Sequence, residues 1–274
     1  MKPIDEPHTS APAVPQADGS DAWHGLRRFT PARIALGRTG HSLPTAALLA
    51  FNLAHAQARD AVHQPLDSAA LLPALDSRGI ATLQVHSAAP DRAHYLRRPD
   101  LGRRLDAPSA ALLDEYSAQH SARPDLVFVL ADGLSAHATA HHALPLLSAV
   151  LPRLQDWAIG PVVIAQQSRV ALGDEIGERL QAGLVVILIG ERPGLSSPDS
   201  LGIYLTYAPR VGRSDAERNC ISNIRPQGLS YPAAAHKLHF LLTMARRLAL
   251  TGIQLKDDSD VILINTDRLP NLPP

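Results

Sequence analysis

The sequence predicts an α/β protein: a doubly wound parallel sheet preceded by a mainly helical N-terminal region. Three observations predict it. LVFVLA (126–131), PVVIAQQ (161–167) and AGLVVILIG (182–190) are near-continuous Val/Ile/Leu runs, the composition of strands buried on both faces. Stretches with helical signals separate them. In YPAAAHKLHFLLTMARRLAL (231–250), Leu238, Leu241, Leu242 and Ala245 fall on one helical stripe.

Taken in order, residues 1–22 are rich in Pro, Ala and Asp and lack an apolar period, which is the composition of a disordered tail. Ordered sequence is expected from Trp23. TAALLAFNLAHAQARDAV (45–62) carries Leu48, Leu49, Leu53, Ala56 and Ala61 near helical spacing, with Thr45 as N-cap after Pro44. A short strand is expected at Leu83–His86, then arginine-rich turns, then a helix at Ser109–His120. Asp132–Gly133 turns the chain after the first buried run, and ALPLLSAVLPRL has helical spacing. GDEIGERL (173–180) reads as a short helix with acids in its first turn, where they suit the helix dipole. The expected layout is a tail at 1–22, a helical region at 23–110, the α/β domain at 111–253 and an exposed tail at 254–274.

Composition narrows the function classes. Lys plus Arg and Asp plus Glu are 26 each among 274 residues, so no net field draws the chain to nucleic acid or to an anionic membrane. No run approaches a membrane span. The one cysteine, Cys220, excludes an intramolecular disulfide and disfavours a Cys-based zinc site. A soluble cytoplasmic protein is expected.

The motifs are incomplete as catalytic sets. ADGLSAHA follows the first buried run; it has neither the glycine spacing of a dinucleotide site nor that of a phosphate loop. His137, His141 and His142 cluster without an acidic or Cys partner at a fitting offset, so packing or solvation is expected rather than a metal. In LIGERPGLSSPDSLGIYLTYAPR (188–210), Glu191 stands where the third run stops, beside Gly190, Pro193 and Gly194. Loops at that edge of an α/β sheet hold ligands. The residues leave two readings open: Glu191 contacts a ligand, or it pairs with Arg192 or caps the next segment. AERNCISNIRPQGLSY (216–231) reads as a polar loop around Cys220, a small buried hydrophobe or a ligand-facing thiol. No acid/base pair or nucleophile triad stands out.

LRRFTPARIALGRTG, YLRRPDLGRRL, VFVLADGLSA, GDEIGE, VVILIGERPGLSSPDSLGIYLTYAPR and AERNCISNIRPQG occur in this order over about residues 26–253. Together they resemble the light (small) subunit of ethanolamine ammonia-lyase. The resemblance implies a Rossmann-like cobalamin-associating domain. It implies adenosylcobalamin as cofactor, with radical conversion of ethanolamine to acetaldehyde and ammonia. It implies a (β/α)₈ large subunit that carries the substrate site, and a hexamer of such heterodimers. Three positions match the family's cofactor contacts: Val170, through backbone and apolar surface; Glu191, as acceptor for corrin amides; and Cys220, against the ring periphery. The chain lacks the D-x-H-x-x-G pattern of proteins that replace the cobalamin base with histidine, so the cofactor would keep its own lower ligand. Residues 1–22 lack the amphipathic stripe that directs some family members into a bacterial microcompartment, which leaves a free complex as well supported as an encapsulated one. The competing readings are a nucleotide-binding protein of Rossmann type and a purely structural subunit.

Overall fold

The computed structural model describes residues 23–260. The tail expected at 1–22 and residues 261–274 lie outside them. The chain divides into a unit ending at His55 and a unit starting at Ala56. The first unit holds a 3₁₀ turn, His24–Phe29, and the start of α1 (Thr45–His63). Leu48, Leu49 and Leu53, read near helical spacing, are exposed, as are Trp23 and Phe29.

The second unit is the α/β domain. It contains α2 (Ser68–Asp76), β1 (Thr82–His86), α3 (Arg92–Arg97), α4 (Ala107–Gln119) and β2 (Leu126–Ala131). There follow α5 (Ala136–Val150), β3 (Val162–Gln166), α6 (Leu172–Arg179), β4 (Leu184–Gly190), β5 (Leu201–Tyr207), β6 (Asn219–Ile224) and α7 (Tyr231–Leu248). Side chains cap four of these helices: Asp67, Asp91, Asp106 and Ser135 each accept from a first-turn amide, where a helix has no acceptor of its own.

The sheet order is β1-β3-β2-β4-β5-β6. β1, β3, β2 and β4 pair in parallel, and β5 alone is reversed, pairing antiparallel with β4 on one side and β6 on the other. The α/β class is as expected, and two strands not read from the sequence extend the sheet. Every residue of β2 and β4 is buried. Leu126, Phe128 and Leu130 pack on one face with α2, α5 and α7. Val127, Val129 and Ala131 pack on the other with α4 and α6. Strand alternation therefore feeds two cores, and the continuous apolar runs follow from having both faces covered.

Three expectations shift. β1 is the edge strand of the sheet and α4 covers the second core, so the sheet architecture begins well before residue 111. The 216–231 stretch is not one polar loop, because 219–224 is the outer antiparallel strand β6. Ile221 and Ile224 point inward, while Cys220, Ser222 and Asn223 are exposed; an edge strand with a wet face tolerates such residues. Residues 254–260 fold back on the domain instead of trailing away. Leu255 joins the core, and Lys237 of α7 bonds Asp257 and Asp260. Among the described residues, no helix is long and apolar enough to cross a membrane.

Candidate functional site

The direction of strand crossing reverses at β2 and β4. From β2 the chain moves by α5 to β3 on one side; from β3 it returns by α6 to β4 on the other. Such a reversal leaves a crevice beyond the carboxyl ends of the strands. A cleft of about 350 Å³ lies there, lined by residues that include Tyr95, Arg169, Val170, Glu191, Arg192 and Tyr204. Two glycines shape its floor. Gly133 sits at φ +56, and a Cβ there would lie 2.2 Å from the Gly190 carbonyl oxygen. A Cβ on Gly190 would lie 2.0 Å from the Ser135 carbonyl oxygen. The ends of β2 and β4 thus meet backbone to backbone, sealed by a 2.9 Å bond from Leu134 N to the Gly190 carbonyl.

Asp132 anchors the other side. Its carboxylate is buried and accepts from the Gln167 amide at 2.9 Å, the Ser168 amide at 2.8 Å and Arg92 at 3.2 Å. It holds the turn after β3, in which Gln167 adopts φ +51, a conformation that a non-glycine residue rarely takes unaided. Burial pushes the Asp132 carboxyl up, opposed by Arg92 and the two amides. Tyr95, fully buried, donates to the Ser168 carbonyl at 3.0 Å. Both Arg92 and Arg169 stack on its ring, 4.6 and 4.3 Å from the centroid.

Glu191 is bonded rather than free. Its carboxylate accepts from the Ser200 hydroxyl at 2.5 Å, from the Ser222 hydroxyl, and from the Asn223 amide at 3.3 Å. Gly202 makes room for it, since a Cβ there would lie 2.9 Å from Oε1. The carboxylate therefore ties the end of β4 to β6, and it does not pair with Arg192 among the described ion pairs. The rest of the loop is pinned too. Ser135 donates to the Pro198 carbonyl, and Arg225 reaches the Ser196 carbonyl. His142 is buried, 2.8 Å from the Tyr231 hydroxyl and 3.4 Å from Asp199.

The structure brings Val170 and Glu191 into one cleft and places Cys220 one strand away. Cys220 faces Tyr204, a lining residue, across the β5–β6 pair. The residue is exposed at the sheet edge, yet packing around its sulfur, then the Glu191 charge, push the thiol up, against a hydrogen bond shared with the Tyr204 hydroxyl. A neutral thiol makes contacts and is slow as a nucleophile. The acids of α6 are not dipole ornaments. Asp174 forms a buried 2.5 Å pair with Arg218, and Glu175 receives Arg104, Arg179 and the Leu105 amide. Sequence reading passed over Asp132, Tyr95, Arg92 and Arg169 because no local pattern marks residues that converge from three separate elements. A second hollow, of about 200 Å³ at the amino ends of β2 and β3, is lined by Tyr116, His120 and Arg123 and holds no residue singled out by sequence.

A cleft at a strand reversal, rimmed by hydrogen-bonding groups, marks an α/β domain with a candidate ligand site beyond its strand ends. The chain belongs to the ethanolamine ammonia-lyase light chain family. The model of that family, described as Ethanolamine ammonia-lyase light chain (EutC), matches residues 20–256. The chain is similar to the ethanolamine ammonia-lyase small subunit of Ralstonia nicotianae, with 58% identity over 93% of this chain and 95% of that one. It is 60% identical to the small subunit of Azotobacter vinelandii over 87% of this chain and 89% of that one. For Pseudomonas fluorescens the identity is 56% over 92% and 93%.

Proposed function

We propose that this chain is the small subunit of an adenosylcobalamin-dependent ethanolamine ammonia-lyase and forms one wall of the cofactor site, while a (β/α)₈ large subunit carries the substrate. The observation that carries this reading is the cleft itself. It lies at the strand reversal and has the family-matched Val170 and Glu191 on its lining. A large amide-rich ligand gripped between two subunits suits such a half-site.

The residues fit the cofactor. Glu191 is held rigid by three donors; a carboxylate has about four acceptor positions, so one remains for a corrin amide. Among the described residues no backbone carbonyl accepts from the Val170 amide. Cys220 and Tyr204 supply a neutral surface at the rim. The cofactor, when bound, supplies the radical chemistry that removes the amino group from ethanolamine. This chain's part is to orient the corrin and exclude water from that face. The exposed Trp23, Phe29, Leu49 and Leu53 support a partner-facing role for the first unit, in an assembly that family resemblance makes a hexamer of heterodimers.

The test is Val170→Trp in the two-subunit complex, which adds bulk to the cleft from a half-buried position on its lining. Assembly judged by size-exclusion chromatography should persist, and the affinity for adenosylcobalamin, read from its absorbance, should fall by more than tenfold. Wild-type affinity in the assembled variant would favour a purely structural subunit.

A further inference from the structure

The cleft carries more positive charge than its acids answer. Arg169 lines it half-buried, with Nη2 donating to the Tyr95 carbonyl at 3.2 Å and its ring-stacked guanidinium held in place. Its buried Nε has no partner, and neither has Nη2 of Arg92 behind it. Arg192 stands exposed on the same lining. Among the described ion pairs, neither Arg169 nor Arg192 meets a carboxylate. Glu191, the one carboxylate of the lining, is engaged by Ser200, Ser222 and Asn223. A buried guanidinium nitrogen left without an acceptor is costly, whereas an exposed one is not. Stacking on Tyr95 also orients the guanidinium plane before any ligand arrives, which lowers the entropy lost on binding.

Resting on the cofactor reading above, we infer that Arg169 and Arg192 form the subsite for the phosphodiester of the cofactor's nucleotide loop. Cobalamin is neutral amide over most of its rim and carries its anionic charge on that one group. Planar guanidinium donors match phosphate oxygens in geometry and charge. Glu191 would take an amide, and the arginines the phosphate. Two opposite polarities on one cleft then set the rotational position of the ring.

The experiment compares adenosylcobalamin with adenosylcobinamide, which keeps the corrin and adenosyl group but lacks the phosphodiester and base. Affinities are read by absorbance titration of the coproduced two-subunit complex carrying Arg169→Gln, Arg192→Gln, Glu191→Gln or Val170→Trp. Each arginine variant should weaken adenosylcobalamin about tenfold, equivalent to about 1.4 kcal/mol, and adenosylcobinamide less than about twofold by the same scale. Inorganic phosphate should compete with adenosylcobalamin in the wild type and lose that effect in Arg192→Gln. Equal weakening of both cofactors, or of neither while Glu191→Gln weakens both, overturns the subsite and leaves the cleft reading intact. Phosphate and adenosylcobalamin bound together would also overturn it, as a free-phosphate site. If Val170→Trp and Glu191→Gln both bind the two cofactors like the wild type, the cleft reading fails and the subsite with it. Arg192 is exposed, so its variant reads out even if Arg169→Gln fails to fold.

Discussion

Replacing Glu191 by Ala should destabilise the domain as well as weaken cofactor binding. A residue on a loop would ordinarily be expected to spare the fold. Here three donors converge on one carboxylate from two later segments. Ser200 is buried, so its hydroxyl loses a charge-assisted partner that water does not fully replace, costing about 1.5 kcal/mol. Ser222 and Asn223 are exposed and regain water, at about 0.5 kcal/mol each. The total comes to about 2–3 kcal/mol, or a fall in Tm of roughly 5–10 °C for a domain of this size. Glu191→Gln keeps one carbonyl oxygen, and the serine hydroxyls can rotate to meet the new amide, so it should cost roughly half as much. The assay is calorimetric unfolding of the two-subunit complex without cofactor, with Glu191→Ala repeated in a Ser200→Ala background. The cost should shrink there by about 1 kcal/mol, since the two residues share one interaction. A wild-type Tm for Glu191→Ala, or costs that add fully in the double variant, would refute the clamp.

Gly133→Ala should abolish soluble complex or lower its Tm by more than about 10 °C, because a Cβ meets the Gly190 carbonyl at 2.2 Å; calorimetry and yield check this. Asp132→Ala strands Arg92 in a buried site and should cost about 3–5 kcal/mol, measured by urea unfolding, with Asp132→Asn milder. Arg218→Ala should cost a similar amount, since it leaves the buried Asp174 carboxylate without its partner. Cys220→Ser should leave Tm within about 1–2 °C, the range of an exposed substitution. The wild-type thiol, held up by its surroundings, should be alkylated slowly at neutral pH. Its rate should rise only as pH passes the ~8.5 of a free thiol, because deprotonation is what the raised pKa delays. Saturating cofactor should slow that alkylation further, and an unchanged rate would remove Cys220 from the site.

The sequence by itself determined the α/β class. Leu126–Ala131 and Leu184–Gly190 are apolar at every position because helices cover both faces of the sheet there, and that requirement is written locally in the residue types. It also marked the strand end at Gly190–Glu191, where the apolar run stops on a glycine and a charge. Tertiary structure decided the rest. β6 read as a loop because only Ile221 and Ile224 face inward, and an edge strand with one wet face has no continuous apolar signal. Its pairing with β5 alone puts Ser222 under Glu191 and Cys220 opposite Tyr204. Asp132, Arg92, Tyr95 and Arg169 come from the end of one strand, a short helix and a turn. Their stacking and hydrogen bonds join residues tens of positions apart. Such contacts are stabilised by burial and charge in the assembled fold, and no local periodicity records them.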